Sequence, residues 1–290
     1  MTKKDFEQLH DIISLGYSEH PRLSEYQKLV YPVISRRSGG LSLGINLNPD
    51  KKCSFRCVYC QVDREKKITN LKVEVGQIVT ELNHWLGIFT KNEGKYKGFS
   101  LKDISIAGDG EPTTVKVLPQ LLLKLIELQK EFRLDKCKII LFTNASRLNR
   151  PDLLPVLDDL MANRGEIWCK FDFWDEQSFR AINRSKISAK KLIENIKAVG
   201  RKYPLTLQSC FFSWQEEIYS SQKYQKYVEQ VTRLIDDGVK IKLIQAYTLA
   251  RRPSDTRAVA WSDTEMNQLV RFLGQQISVR IETFYAAGLK

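Results

Sequence analysis

Short runs rich in β-branched and aromatic residues alternate with longer amphipathic runs along most of this sequence. The β-type runs predict strands near residues 41–47, 103–107, 138–143, 167–173, 205–212 and 241–247, with a seventh near 278–285. Between them, apolar residues recur at spacings of three and four, which predicts helices near residues 75–89, 118–128, 189–199, 221–235 and 263–272. Strands and helices that alternate in this way are typical of a parallel sheet with helices packed outside it.

The chain is predicted to form one main domain, because no repeat, low-complexity tract or Pro/Gly linker interrupts the series. We expect an α/β fold, a partial (βα)6 barrel with a parallel sheet, over residues 39–290, preceded by a helical N-terminal extension at residues 1–38. The 290 residues suffice to bury a large core. Apolar residues assigned to that core include Leu118, Leu121, Leu122, Leu125, Ile126, Leu128 and the isolated cysteines Cys137, Cys169 and Cys210.

The amino-acid composition limits which cellular compartment and which partners we expect for this protein. Charged residues interrupt every apolar run of the N-terminal segment, and no later run has the length of a membrane span, so we expect a cytoplasmic monomer with no membrane partner. Because that compartment keeps thiols reduced, the six cysteines indicate metal ligands or core residues rather than disulfides. The formal net charge of +12 favours a polyanionic partner such as RNA.

Three cysteines lie close together after the first predicted strand, in the stretch DKKCSFRCVYCQVDREKK. In barrels of parallel strands, ligands collect at the carboxyl ends of the strands, where this stretch is expected. A structural zinc site needs a fourth ligand, yet His84 falls in a helical pattern and Cys137 lies a whole βα unit away. An iron–sulfur cubane held by Cys53, Cys57 and Cys60 instead leaves one iron with an open coordination position.

The segment CSFRCVYC resembles the C-x3-C-x-aromatic-C motif of the radical S-adenosylmethionine (SAM) superfamily, with Tyr59 at the aromatic position. The resemblance implies that Cys53, Cys57 and Cys60 bind a [4Fe-4S] cluster and that SAM chelates the fourth iron. In such enzymes an electron, supplied by a donor such as flavodoxin or ferredoxin, cleaves SAM to a 5′-deoxyadenosyl radical that takes hydrogen from the substrate. The protein then supplies position and electrostatics.

The segment GDGEPT after the second predicted strand resembles the GGE-type segment that receives the methionyl ammonium of SAM. The resemblance assigns cofactor contacts to Gly108, Gly110 and Glu111, and to Asp109 although it replaces the usual second glycine. We attribute the two glycines to close backbone approach to a ligand, with positive φ available. The alternative is a tight turn that ends in a proline.

Polar residues on four further strands complete the expected SAM site. Thr143 and Asn144 match the superfamily's TN pair, and Lys170 and Asp172 share one face of their strand, from which they are expected to reach the SAM carboxylate and ribose. A buried structural Lys–Asp pair is the alternative. Gln208 and Gln245 are expected either to contact the cofactor or to satisfy each other's hydrogen bonds in the core.

The stretch YPVISRRSGGLSLGINLNP, residues 31–49, resembles a subgroup related to the wyosine-synthesising tRNA enzymes, and the resemblance covers roughly residues 30–250. Archaeal members carry additional N-terminal cysteines for a second cluster, whereas residues 1–52 contain none, and no cysteine follows Cys210. The subgroup resemblance therefore identifies a sequence group and leaves the reaction open.

Basic residues surround the cysteine stretch and are expected near one rim: Lys51, Lys52, Arg56, Arg64, Lys66 and Lys67, with Arg36, Arg37, Arg251 and Arg252. Such a rim suits RNA phosphates around an extruded base, an acidic electron donor, or solvation alone. The leading hypothesis is a radical SAM enzyme that acts on RNA, with a tRNA base as its expected substrate. The alternatives are a protein- or peptide-modifying enzyme or activase, and a non-catalytic iron–sulfur module that senses redox state.

Overall fold

The computed structural model describes residues 22–65, 68, 70–91, 97–214 and 221–286, with the side chains of 221–223 excepted. Its strands are β1 Val30–Ser35, β2 Gly40–Ile45, β3 Leu101–Ile106, β4 Lys138–Thr143, β5 Gly165–Lys170, β6 Leu205–Cys210, β7 Phe212–Ser213, β8 Ile241–Tyr247, β9 Val259–Ala260 and β10 Ile281–Phe284. Its α-helices are α1 Val75–Lys91, α2 Leu118–Glu131, α3 Leu154–Ala162, α4 Glu176–Asn183, α5 Ala189–Gly200, α6 Ser221–Asp236 and α7 Asp263–Gln276. Two short 3₁₀ turns, Leu23–Tyr26 and Pro112–Thr114, complete the series.

Eight of these strands form one sheet in the order β1-β2-β3-β4-β5-β6-β8-β10. Strand β1 runs antiparallel to β2, and every other neighbouring pair is parallel. The guanidinium of Arg36, just after β1, donates to the carbonyl of Tyr285, just after β10, so the sheet curls until its first and last strands approach each other. The predicted parallel partial barrel is confirmed, and each of the seven predicted strands overlaps a strand of this sheet.

The expectation of a helical extension through residue 38 is wrong in its described part, and residues 1–21 lie outside the described residues. Val30–Ser35 form an edge strand that pairs with β2 along its whole length. The reason is tertiary: backbone N–H groups of Leu29 and Val30 donate to the buried carboxylate of Glu81 on α1, each at 2.9 Å. Gly39 takes φ of +67° in the turn into β2, a conformation that glycine adopts without steric cost.

The fourth strand ends earlier than its composition predicts. Strand β5 stops at Lys170, and the apolar residues that follow leave the sheet to pack as an aromatic cluster. The ring centroids of Phe171 and Phe173 are 5.0 Å apart, and those of Phe173 and Phe179 are 4.8 Å apart. Apolar residues can be buried equally well in a strand or in a loop, so the apolar pattern alone predicted a strand that was too long.

The helices cover the outer face of the sheet. All six apolar residues of the predicted stripe on α2 are buried, as are Cys137, Cys169 and Cys210, which confirms their placement in the core. Helices α3 and α4 had not been predicted, because each is short and polar residues interrupt its apolar face. None of the helices within the described ranges is long and apolar enough to span a membrane.

Candidate active site

A cavity of about 330 Å³ opens inside the curled sheet, and Cys53, Cys57 and Cys60 all line it. The cysteine loop connects β2 to α1. Other parts of the wall follow β1, β3, β4 and β8 or belong to the strands themselves, and Arg22 before β1 joins them. Of the residues predicted to contact SAM, nine line the same cavity: Tyr59, Gly108, Asp109, Gly110, Glu111, Thr143, Asn144, Lys170 and Gln208.

Each of the three cysteine sulfurs accepts a hydrogen bond from a different side chain. The Nδ2 atom of Asn144 lies 3.6 Å from Cys53 Sγ, and that of Asn183 lies 3.4 Å from Cys57 Sγ. A guanidinium nitrogen of Arg64 lies 3.5 Å from Cys60 Sγ. Donors aimed at sulfur stabilise thiolate over thiol, which suits metal coordination.

The loop is held from one side by α4. Backbone N–H groups of Arg56 and Val58 donate to the carbonyls of Asn183 and Ile182, each at 2.9 Å. Phe55 packs edge-on against Phe179 at 5.3 Å. The loop is therefore anchored at its middle, between the first and third cysteines.

The connection from β8 to β9 holds the loop from the other side, and we call its residues 251–257 the strap. Its Ser254 and Asp255 donate backbone N–H groups to the carbonyls of Cys60 and Val58, at 2.6 and 3.1 Å. Gln61 and Arg251 exchange two hydrogen bonds, from Gln61 Nε2 to the Arg251 carbonyl at 3.0 Å and from Arg251 Nε to Gln61 Oε1 at 3.1 Å.

Two arginines brace the strap against Trp214. Asp255 accepts from Arg257 at 2.7 Å and from Arg184 at 3.2 Å, and both guanidinium groups lie over the Trp214 ring. These arginines hold the pKa of Asp255 well below its usual range, Arg257 contributing most. Sequence reasoning expected Arg251 and Arg252 near the cysteine stretch but missed the contacts of Ser254 and Asp255, because nothing in their local sequence indicates which loop they touch.

Burial governs the state of the thiols when no metal is bound. It raises the pKa of Cys53 to about 11 and that of Cys57 to about 12, so both are protonated at neutral pH. Coordination must therefore release their protons to make thiolates. Among the described residues no three His, Cys, Asp or Glu side chains converge in the way that a single metal ion requires.

A cluster fits this donor set. In a cubane each thiolate binds a different iron, so its thiolates lie further apart than the ligands of one ion. The three sulfurs share one cavity wall and each already has an N–H donor, as bound thiolates require.

Glu111 joins the GDGEPT segment to the end of β4. One carboxylate oxygen accepts from the Thr143 hydroxyl at 2.6 Å and from the Thr113 N–H at 3.1 Å, and the other accepts from the Asn144 N–H at 2.6 Å. Burial raises the pKa of this carboxyl group, and these donors lower it in part. Glu111 thereby fixes the position of Asn144, the residue that donates to Cys53.

Neither glycine of GDGEPT has a positive φ, so that part of the prediction is wrong, whereas their close approach to a ligand stays a prediction. A Cβ atom on Gly110 would lie 1.9 Å from the carbonyl oxygen of Lys52, and one on Gly108 would lie 2.2 Å from Asn46 Oδ1. Glycine is needed here so that this segment packs directly on β2's exit and the cysteine loop.

Asp109 is engaged by protein partners. It accepts from Asn46 Nδ2 at 2.7 Å and forms an ion pair with Arg22, while its N–H donates to Asn46 Oδ1 at 3.0 Å. The pair links the first described turn of the chain to the cavity wall.

The expectation that Lys170 and Asp172 share one face of a strand is wrong, because β5 ends at Lys170. Lys170 lines the cavity, with its Nζ atom 4.6 Å above the Tyr247 ring and in contact with that hydroxyl. Asp172 lies beyond the strand end, where the Tyr59 hydroxyl and the Cys210 N–H donate to its two oxygens. Burial raises the pKa of Asp172.

Gln208 and Gln245 form the hydrogen-bonded core pair that was the alternative for them, Gln208 Nε2 donating to Gln245 Oε1 at 2.8 Å. Gln245 does not line the cavity, whereas Gln208 does. The Oε1 atom of Gln208 is buried without a hydrogen-bond partner among the described residues, which leaves an acceptor for a ligand.

The basic residues around the cysteine stretch divide into two sets. Arg36, Arg37, Arg64 and Arg251 line the cavity, whereas Lys51, Lys52, Arg56 and Arg252 do not. Lys66 and Lys67 lie outside the described residues. Arg22 and Tyr247 also line the wall, and no signal in the sequence had singled them out.

Comparison with known proteins begins with curated sequences, since no family model matches. The chain is 26% identical over 256 residues to a protein named GTPase Obg of Brachyspira hyodysenteriae, covering 87% of this chain and 34% of that protein. It is 33% identical over 174 residues to the UPF0026 protein MJ1312 of Methanocaldococcus jannaschii, covering 59% of this chain and 49% of that protein. The chain therefore spans half or less of the length of these relatives.

Solved structures share the architecture at low sequence identity. A radical SAM methyltransferase from Sphaerobacter thermophilus matches with a TM-score of 0.61 at 13% identity, over 89% of this chain and 70% of that one. The chain has the radical SAM fold. Streptococcus suis SuiB, solved with S-adenosylmethionine, shares this fold with a TM-score of 0.58 at 16% identity, over 98% of this chain and 57% of that one. Archaeal TYW1 does so with a TM-score of 0.50 at 12% identity, over 97% of this chain and 91% of that one.

The resemblance carried by the cysteine motif is thus confirmed at the level of the fold. The cysteine loop of this chain lies at the carboxyl ends of the parallel strands, which is where barrels of parallel strands bind their ligands.

Proposed function

We propose that this protein is a radical SAM enzyme that modifies RNA, with a [4Fe-4S] cluster on Cys53, Cys57 and Cys60. The observation that carries the proposal is the convergence of three thiols, each with its own N–H donor, on one cavity. Nine polar or glycine positions to which the family resemblance assigns SAM contacts line the same cavity. Cys53, Cys57 and Cys60 would hold the cluster, and the cluster together with SAM bound beside it would supply the radical chemistry by which hydrogen is taken from the substrate.

Residues of the chain would hold SAM in this cavity. Lys170 is suited to the SAM carboxylate, because two tyrosine rings hold its ammonium and it forms no ion pair within the described ranges. Gln208 offers its unpartnered oxygen as an acceptor for an N–H or O–H group.

The remaining assigned residues support these contacts. Backbone atoms of residues 108–110 and the side chain of Asn144 face the space beside Cys53, and Glu111 and Thr143 hold them there. Asp172 and Gln245 act from behind the wall, through Tyr59 and Gln208.

Walls of this cavity exclude water from a reactive species. Buried aromatic and aliphatic groups, including Phe55, Tyr59 and Leu249, line it beside the polar residues. A radical that is shielded from water and held in one orientation reacts with the substrate alone. An RNA base that is extruded from its stack can reach such a site.

RNA is favoured as the substrate by the formal net charge of +12 and by the arginines on the cavity wall. The likeness in fold to archaeal TYW1 is consistent with it. An acidic protein that delivers the electron, a flavodoxin or ferredoxin, would use the exposed basic residues of the cysteine loop.

Anaerobic reconstitution with iron and sulfide tests the chemistry. With dithionite and SAM, the protein should release 5′-deoxyadenosine and methionine, and Cys60→Ala should release neither. A loaded cluster that leaves SAM intact would instead support the redox-sensing module.

The substrate is tested separately, by comparing modified nucleosides in bulk RNA from a deletion strain and its complemented control. A nucleoside that is absent from the deletion strain and restored by complementation supports RNA modification. An unchanged nucleoside profile, together with a mass change in a protein or peptide incubated with the enzyme, would favour the peptide-modifying alternative.

A further inference from the structure

Basic side chains outnumber acidic ones on the cavity wall. Among the described residues, six basic side chains and two acidic side chains line it. One of these, Asp109, is paired with Arg22, and the other, Glu111, accepts hydrogen bonds from uncharged groups only. Of the other basic residues, four form no ion pair in the part of the chain that the structure describes: Arg37, Arg64, Lys170 and Arg251. The buried carboxylate of Asp172, behind the wall, attracts Lys170 and Arg37 from a distance.

Three of these arginines lie near one another although the sequence separates them widely. Arg36 and Arg37 follow β1, and Arg251 follows β8. Burial, and then repulsion by Arg22, Arg37 and Arg36, lowers the pKa of Arg251 to about 10. Like charges close together in a partly buried site repel each other and raise its free energy. A bound anion offsets this repulsion.

The arginines are also held in place before any ligand arrives. The Arg37 guanidinium lies 4.4 Å above the Tyr247 ring, and Arg251 is fixed by its two hydrogen bonds with Gln61. Neither Arg37 nor Arg251 forms an ion pair in the part of the chain that the structure describes. Planar guanidinium groups with free N–H bonds bind oxyanions in a bidentate manner, and their prior ordering lowers the entropy cost.

The proposed cofactors leave this excess in place. A resting cubane with three thiolates carries a single negative charge, and SAM carries a single net positive charge, so the two offset each other. Lys170 is suited to the SAM carboxylate, and Arg64 is directed at Cys60. Arg37 and Arg251 thus remain for the substrate.

We infer that Arg37 and Arg251 bind a phosphate group of the substrate inside the cavity. The inference rests on the proposed function in one respect, that the cavity is where the substrate is modified. Phosphate fits better than carboxylate, because it presents more anionic oxygens than one guanidinium can engage. The phosphate belongs either to a phosphodiester of RNA or to a small phosphorylated molecule such as a nucleotide.

Binding measurements on the reconstituted protein, saturated with SAM, test this site. Each ribonucleoside 5′-monophosphate is compared by calorimetry with its nucleoside, and with a mixed-sequence RNA hexamer that lacks terminal phosphates. A phosphate-bearing probe should bind at least about tenfold more tightly than the nucleoside. Preference for the hexamer identifies RNA as the source, and preference for a monophosphate identifies a small molecule.

Substitutions then assign the preference to residues. Arg37→Gln and Arg251→Gln should each reduce the affinity for the phosphate probe about tenfold or more and leave the affinity for the nucleoside unchanged. Arg271→Gln, at an exposed position on α7, is the matched control and should change neither. If no probe gains from its phosphate, or if the two variants weaken SAM while they keep the phosphate preference, the site is refuted.

A measurement on the unmodified protein covers the case in which a variant fails to fold. Phenylglyoxal modifies accessible arginines, and peptide mass mapping reports each one. The best phosphate probe should protect Arg37 and Arg251 while its nucleoside does not, and equal modification with both probes refutes the site. Phosphate binding without 5′-deoxyadenosine formation would overturn the proposed function and leave the anion site standing.

Discussion

The hydroxyl of Tyr59, the aromatic residue of the cysteine motif, donates to the buried carboxylate of Asp172 at the exit of β5. The other oxygen of Asp172 accepts from the Cys210 N–H at 2.6 Å, just where β6 ends. One carboxylate therefore ties the cysteine loop to two neighbouring strands. The tyrosine hydroxyl therefore has a structural role in addition to the packing of the ring.

Replacement of Asp172 by Ala should destabilise the protein by about 2–4 kcal/mol, because two buried donors lose their acceptor. Tyr59→Phe removes one donor with its bond and should cost about 1 kcal/mol. Urea unfolding of the metal-free protein measures both free energies. Equal destabilisation by the two variants would show that the carboxylate does not act as the shared acceptor.

Replacement of Cys57 by Ala should abolish cluster binding while it lowers the free energy of unfolding by no more than about 1–2 kcal/mol. The thiol is half-buried, and the loop backbone stays anchored to Asn183 and Ile182. Iron content and visible absorbance after reconstitution report the cluster, and urea unfolding reports the fold. Cys137→Ala, in the core, is the control and should keep its iron; a Cys57→Ala protein with full iron would contradict the ligand assignment.

Loss of Asp255 should loosen the cysteine loop. Asp255→Ala removes the ion pairs with Arg184 and Arg257 that brace the strap, so amide hydrogen exchange should accelerate over residues 53–61 by about fivefold or more. Asp152→Ala is a matched control, because Asp152 also pairs with an arginine two residues away. Equal exchange at residues 53–61 in the two variants would show that the strap does not restrain the loop.

Stability should fall as the pH rises through the titration of Asp103. Burial raises the pKa of this carboxyl group, whose Oδ2 atom has no hydrogen-bond partner among the described residues. The folded state therefore binds the proton more tightly than the unfolded state. The stabilisation is complete below the ordinary pKa of Asp and is lost as the pH rises through the raised pKa of the folded state.

Asp103→Asn removes that titration and keeps an oxygen for the Ser42 hydroxyl, which donates to Asp103 at 2.5 Å. The free energy of unfolding of the variant should therefore increase relative to that of the unsubstituted protein as the pH rises above the ordinary pKa of Asp. Urea unfolding at several pH values measures this difference. A difference that stays constant with pH would assign the titration to another group.

Much of the site could be predicted from local patterns. The spacing of Cys53, Cys57 and Cys60 and the position of GDGEPT after a strand were sufficient to place both on the cavity wall, because parallel strands bring their carboxyl ends to one edge. The same logic was too coarse for Asp172. Alternation assigned it to the face of Lys170, but the chain leaves the sheet after Lys170 and its direction changes there.

The sequence by itself determined the βα order, the apolar faces of the helices and the three-cysteine loop, since each depends on residues within a few positions of one another. Only the tertiary structure decided that β1 joins the sheet, that the strap packs against Cys60, and that Arg22 and Tyr247 line the cavity. These contacts join residues up to some two hundred positions apart. Their free energy depends on the path of the whole chain, which no local periodicity records.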